Sequence, residues 1–315
     1  MAKPIPPQPQ LSASFASRLT TATIRTRSVL CVGIDPHPSL MPALFGGQNH
    51  MPGSAQAIQH LEAFSQAIIE AATGLVPAIK PQVAFFERHG PEGLRVLSNL
   101  AIEAKQRELL VIMDAKRGDI GTTAQAYAEA WLGPDAIFAA DAMTLNPYLG
   151  FDSLEPFIRQ AQQTLSGVFI LVRTSNPGSA DLQQLMIDGK PTWAHMAAGL
   201  AEMVKEQTDP TCNMSSVGVV VGATGPKHAL AVRDLLPTAP FLIPGYGAQG
   251  ARAEEALSGL TADKQEGVYK GGLINASRSI THGKGVQNAS TVGEAVAAIK
   301  TAIQEAVSDL AVTRI

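Results

Sequence analysis

With 315 residues, 45% of them hydrophobic and 16% charged, the chain is long enough for one large domain and too apolar to be disordered. A formal net charge of −3 without a basic tract argues against an electrostatic footprint for nucleic acid or an anionic membrane surface. The two cysteines, Cys31 inside an apolar run and Cys212, supply neither a disulfide framework nor metal-ligand spacing, and suit a reducing cytoplasm.

In chain order, the first segment is MAKPIPPQPQ, rich in proline and without an apolar core of signal-peptide length. Residues 1–24 are therefore expected to be an extended tail and lead-in. No apolar run reaches the length of about 18 residues needed to span a membrane. From there to residue 315, short apolar runs rich in β-branched residues alternate with helix-length segments. The runs are SVLCVGID (28–35), LVPAIKPQ (75–82), ELLVIMDAK (108–116), DAIFAADAMTLN (135–146), SGVFILVRTSN (166–176), VGVVVGAT (217–224), FLIPGYG (241–247) and GGLINASRS (271–279). They are nearly continuous in apolar character, as parallel strands covered on both faces are. Between them lie amphipathic stretches: in 58–72, Leu61, Phe64, Ile68 and Ile69 recur at helical spacing, and 293–310 behaves likewise. Eight strands with intervening helices predict a single-domain α/β fold, the (β/α)8 TIM barrel, with a doubly wound sheet as the competing architecture. Two segments exceed ordinary loop length, 36–53 and 177–191; both follow strand C-terminal ends, where barrel enzymes carry substrate-covering loops.

Each strand ends in something polar: Asp35, Lys80, Asp114 with Lys116, Asn146, Ser175, Thr224, the turn PGYGAQG, and Ser277-Arg278-Ser279. In a barrel these ends converge on one rim, where the active site lies. Asp114 and Lys116 are two residues apart, so the strand period points both to one side, and Lys80 on the preceding strand can reach the same space. Asp119 follows in RGDIGTT. Crowded charges in a partly dry pocket are tolerated when their signs alternate, as in Lys-Asp-Lys-Asp. Such a set is a candidate catalytic array, or else an ion-pair network that only braces the barrel.

The turn GYGAQG formally fits the dinucleotide fingerprint, yet six strands precede it and no acidic residue ends a strand about 20 residues on. It reads instead as an anion cradle at a helix N-terminus, with Arg278 on the neighbouring strand, or as a plain tight turn. His37, His50, His60, His89, His195, His228 and His282 show no paired spacing and are expected to be surface or loop residues, with no metal site.

VIMDAKRGDIGTT resembles the D-x-K-x-x-D signature of orotidine 5′-phosphate decarboxylases, particularly the longer-chain branch. GIDP, the strand ending in Lys80, RTSNPG, PGYGAQG and Arg278 follow in the family's order, so the resemblance runs over roughly 25–310. It implies a cofactor-independent, metal-free enzyme that converts orotidine 5′-monophosphate to UMP and carbon dioxide in de novo pyrimidine biosynthesis. Carried over residue by residue, Lys80, Asp114, Lys116 and Asp119 resemble the charged catalytic array. Lys116 is similar to the general acid that protonates carbon 6, and Asp114 to the carboxylate set beside the substrate's own. Asp119 resembles the residue that each subunit lends to its partner, which implies a homodimer. Thr123 is similar to a ribose contact, although the adjacent Thr122 leaves that register open by one residue. Asp35 and Lys80 resemble ligands of the ribose hydroxyls, Ser175 the pyrimidine-amide contact, and Gln249 and Arg278 the phosphate grip. Three other readings stay open. Magnesium-dependent barrels with the same signature place an acid where this chain has Lys80. A Schiff-base aldolase would use Lys80 or Lys116. A nucleotide-binding barrel would have no turnover.

Overall fold

The computed structural model describes residues 12–47, 51–138, 140–247 and 250–311. Eight parallel strands close into a barrel: β1 (Leu30–Ile34), β2 (Ala78–Pro81), β3 (Leu110–Arg117), β4 (Ala142–Leu145), β5 (Gly167–Arg173), β6 (Val217–Val221), β7 (Phe241–Pro244) and β8 (Gly272–Ala276). Each pairs with its neighbours in sequence, and β1 pairs with β8 to close the ring. All eight expected strands are present, each shorter than its apolar run; 135–146 contracts to the four residues of β4. The (β/α)8 barrel is the fold, and the doubly wound sheet is not.

The continuity of the apolar runs has a direct cause, because both faces of every strand are dry. On β3, Val111 and Met113 face the helical layer while Leu110 and Ile112 fill the barrel interior; on β7, Phe241 and Ile243 face out and Leu242 faces in. The outer layer includes α2 (Ala55–Ala72), capped by the Ser54 hydroxyl, and the C-terminal helix α9 (Val292–Asp309), capped by Thr291. Their buried stripes contain the expected Leu61, Phe64, Ile68 and Ile69, and Ala295, Ile299 and Ile303.

Within the stretch expected as an extended lead-in, a helix, α1 (Phe15–Thr26), closes the bottom of the barrel. Phe15 meets Phe169 edge-on at 5.9 Å between centroids, and a β-carbon on Gly167 would stand 2.3 Å from the Phe15 ring, so only glycine admits this plug. Arg18 pairs with the buried Asp141, whose other oxygen accepts the Val111 N–H at 2.9 Å, so the charge brought in by α1 is neutralised. The prolines of residues 1–11 lie outside the described residues.

The two long segments contain local structure. Segment 36–53 includes short 3-10 turns, Pro38–Leu40 and Ala43–Phe45. Segment 177–191 folds into a short helix, Ala180–Gln183, and a two-stranded hairpin, Met186–Ile187 with Lys190–Pro191.

Candidate active site

The inward-facing stripe that fills the barrel also builds the site, two residues further along each strand. Ala78 leads to Lys80, Ile112 to Asp114, Ala142 to Thr144, Phe169 to Leu171, Leu242 to Pro244, and Leu273 to Asn275. These side chains line a cavity of about 640 Å³ at the C-terminal rim, together with Asp35, Lys116 and Ser175. Five of the nine candidate residues, Asp35, Lys80, Asp114, Lys116 and Ser175, are thus brought to one space.

At its centre lies Asp114. Its Oδ2 accepts from Lys80 Nζ at 2.7 Å, and its Oδ1 from Lys116 Nζ at 2.5 Å and from the Thr144 hydroxyl at 3.0 Å. Lys80 is only 4% exposed, and Asp114 9%. Burial pushes the Asp114 carboxyl up, but the Lys80 and Lys116 ammonium groups outweigh it and hold the group well below the usual carboxylate range. Burial likewise pushes Lys80 down, and the Asp114 and Asp35 carboxylates outweigh that and hold it above the ordinary lysine range. A depressed carboxyl stabilises the fold above its unfolded pKa, and a raised lysine stabilises it below its own. Both contributions therefore persist between about pH 4 and pH 10. Lys80 and Asp114 are therefore charged across the physiological range.

Lys116 reaches Asp114 by a route other than simple pleating. Opposite β4, pairing jumps from Met113↔Met143 to Arg117↔Leu145, so β3 carries two extra residues. Lys116 takes up the excess in the left-handed region at φ +48°, a conformation that disfavours a side chain by about 1–2 kcal/mol. Its N–H is held by the Thr144 hydroxyl at 2.9 Å, and Asn146 N–H bonds the Arg117 carbonyl at 2.8 Å beyond it. With its side chain 45% exposed, against 5% for Lys80, Lys116 is the more accessible ammonium of the array.

Of the remaining candidates, Asp119, Thr123 and Arg278 do not line this cavity. Asp119, half-buried, accepts the Ile120 N–H at 2.8 Å in the loop before α4 (Gly121–Leu132), and Thr122 and Thr123 are exposed in the first turn of α4. Ile120 and Tyr127 of the same segment are exposed, as are Tyr148, which also lines the cavity, and Leu149 in the loop after β4. Arg278 is exposed at the start of the short helix after β8 (Arg278–Thr281). In the adjacent turn Gly245, Gly247 and Gly250 all have positive φ, and a β-carbon on Gly247 would meet Ser279 Oγ at 2.9 Å, so this turn abuts the residue next to Arg278. Gln249 lies outside the described residues.

Thr144 and Asn275 escape a reading based on strand ends, because each lies two residues before the first polar residue named at its strand's end, Asn146 and Ser277. Counting in twos from Ala142 and Leu273 finds both. Among the histidines, His282 differs from the expected surface setting: it packs on Phe64 at 5.4 Å between centroids, and burial pushes its pKa down to about 4 against the pull of Asp35.

The chain matches the family described as orotidine 5′-phosphate decarboxylase / HUMPS over residues 28–292. It is 41% identical over 271 residues to the orotidine 5′-phosphate decarboxylase of Rhodopirellula baltica, covering 85% of this chain and 88% of that one. A solved structure from Streptomyces avermitilis superposes with a TM-score of 0.76 at 36% identity, covering 95% of this chain and 96% of that chain. The OMP decarboxylase of Leishmania donovani superposes at 0.69 with 32% identity, over 94% and 97% of the two chains. By fold, charged array and similarity over most of its length, the chain belongs to the orotidine 5′-phosphate decarboxylase / HUMPS family.

Proposed function

We propose that the chain decarboxylates orotidine 5′-monophosphate to UMP in de novo pyrimidine biosynthesis, as a cytoplasmic enzyme that uses fixed charge in place of a cofactor. The observation that carries this reading is the Lys80–Asp114–Lys116 array, with a buried ammonium at the end of β2 already paired to Asp114. A metal-dependent relative needs an acid at that point, and Lys80 would repel the cation.

In the reaction, the bond between carbon 6 and its carboxylate breaks, carbon dioxide leaves, and the electron pair stays on carbon 6. Lys116, the exposed ammonium, stabilises that pair as it develops and then delivers a proton from Nζ to carbon 6; the neutral lysine regains a proton from water. Asp114 lies beside the departing carboxylate and fixes the position of both lysines. Asp35 and Lys80 hold the ribose hydroxyls and Ser175 the pyrimidine amide. Gln249 and Arg278, with the positive-φ glycine turn, hold the phosphate, whose binding energy orients the ring. The experiment is to follow loss of orotidine monophosphate absorbance with the purified chain in the presence of a chelator. Turnover that persists at full rate is expected; turnover that needs added magnesium would favour the metal-dependent reading.

Asp119 and Thr123 belong, on this reading, to the site of a second copy, since neither lines its own chain's cavity and the same segment exposes the apolar Ile120 and Tyr127. A Lys116→Ala chain mixed with an Asp119→Ala chain is expected to recover activity from two inactive preparations, because each heterodimer has one site with both residues intact. Subunit exchange without recovery would assign Asp119 to its own chain.

A further inference from the structure

Segment 177–191 is anchored to the end of β5 by side chains. Through Oε1, Gln183 accepts from the Thr174 N–H at 2.9 Å and from Arg173 Nη1 at 3.3 Å; through Nε2 it donates to Thr174 Oγ1 at 2.8 Å. Thr174 Oγ1 in turn donates to Asn176 Oδ1 at 2.6 Å, and Arg173 Nη1 donates to the Thr174 carbonyl and to Ser179 Oγ, each at 2.6 Å. A single run of donors therefore holds the residues on both sides of Ser175, each bond polarising the next. Beneath the loop, a β-carbon on Gly222 would stand 2.8 Å from Ser175 Cβ and 3.0 Å from its backbone nitrogen, so Ser175 rests directly on the backbone at the end of β6. The other half of the segment is tied to α6 (Thr192–Glu206): Thr192 N–H and hydroxyl donate to the Leu185 carbonyl at 2.8 and 3.0 Å, and His195 Nε2 donates to the Ile187 carbonyl at 2.8 Å. Leu182 and Gln183 thereby become cavity wall next to Ser175.

We infer that Gln183 is a positioning residue for the substrate: the inserted segment supplies a side chain that presets the Ser175 loop before the pyrimidine arrives. The inference rests on the reading of Ser175 as a substrate contact. A loop that is already ordered loses less conformational freedom on binding, so removal of the clamp weakens binding more than it slows the chemical step. Glutamate at position 183 keeps acceptors for the Thr174 N–H and Arg173, and the Thr174 hydroxyl can turn to donate to it; leucine keeps the size and none of the bonds.

The experiment measures kcat and KM for orotidine monophosphate in Gln183→Leu, Gln183→Glu, Ser175→Ala and the Ser175→Ala/Gln183→Leu double variant. Gln183→Leu is expected to raise KM roughly tenfold with kcat within about twofold, Gln183→Glu to stay within about threefold of the parent, and Gln183→Leu to add less than about twofold once Ser175 is alanine. A fall in kcat at unchanged KM would mean that the clamp only supports folding. An equal penalty in both backgrounds, or a normal Gln183→Leu beside an impaired Ser175→Ala, would overturn the inference with the Ser175 contact intact. A normal Ser175→Ala would instead remove the contact, and the role of Gln183 with it.

Discussion

Replacing Lys116 by alanine is expected to lower kcat by roughly 10,000-fold or more while leaving UMP binding and the fold in place. The size follows from two losses at once: the positive charge facing carbon 6 as the electron pair develops, and the proton that ends the reaction. Fold and binding survive for a structural reason. Asp114 keeps Lys80 on one oxygen and the Thr144 hydroxyl on the other, so no buried charge is stranded when the half-exposed Lys116 is removed. Release from the left-handed backbone at residue 116 does not follow, because alanine has a β-carbon too. Turnover and UMP titration on the same preparation check both halves, and a kcat near the parent value would remove Lys116 from the chemistry.

Asp114→Asn is expected to be damaging in a different way. Lys80 would remain almost wholly buried with its nearest carboxylate gone, and breaking such a pair costs about 3–5 kcal/mol. The pH dependence identifies the cause. With Asp114 in place, Lys80 lies above the ordinary lysine range, so its contribution is lost only as pH rises far into the alkaline. With asparagine there, the largest charge opposing burial is gone, Asp35 is the main one left, and the Lys80 pKa falls. A lysine depressed in the folded state weakens the fold while it must stay charged, and the penalty fades as pH rises toward about 10.4. Urea midpoints of the variant should therefore approach those of the parent with rising pH between about 7 and 10. A constant gap across that range would mean that the loss is one of packing rather than of charge.

Lys80, Asp114 and Ser175 are legible in the sequence because each ends a continuous apolar run, and in a closed parallel barrel such ends can only converge. A covered parallel sheet is legible because eight runs without alternation require cover on both faces, and their number favours the barrel over a doubly wound sheet. Lys116 is a subtler case. Period-two spacing leads to the right neighbour, but the contact depends on a two-residue bulge and a left-handed turn, neither of which leaves a mark in DAKRG. Helix α1 escapes because its signals, the Ser14 cap and the Phe15–Leu19 spacing, follow directly on a proline-rich tail. The clamp at Gln183 escapes because glutamine in a polar insertion carries no pattern; its importance comes from where Thr174 happens to be. Asp119 and Thr123 are visible in the motif, but among the described residues neither lines the cavity that holds Asp114 and Lys116.

In the proposed reaction, an ammonium on β3, held by the buried Asp114, faces the carbon that loses carbon dioxide. The most direct measurement is the distance from Lys116 Nζ to carbon 6 in a crystal structure of the chain with UMP bound. A separation of about 3–3.5 Å, with Asp114 still between the two lysines, is the expected result. A pyrimidine whose carbon 6 faces Leu171, Val220 and Leu242, with no ammonium in reach, would contradict it.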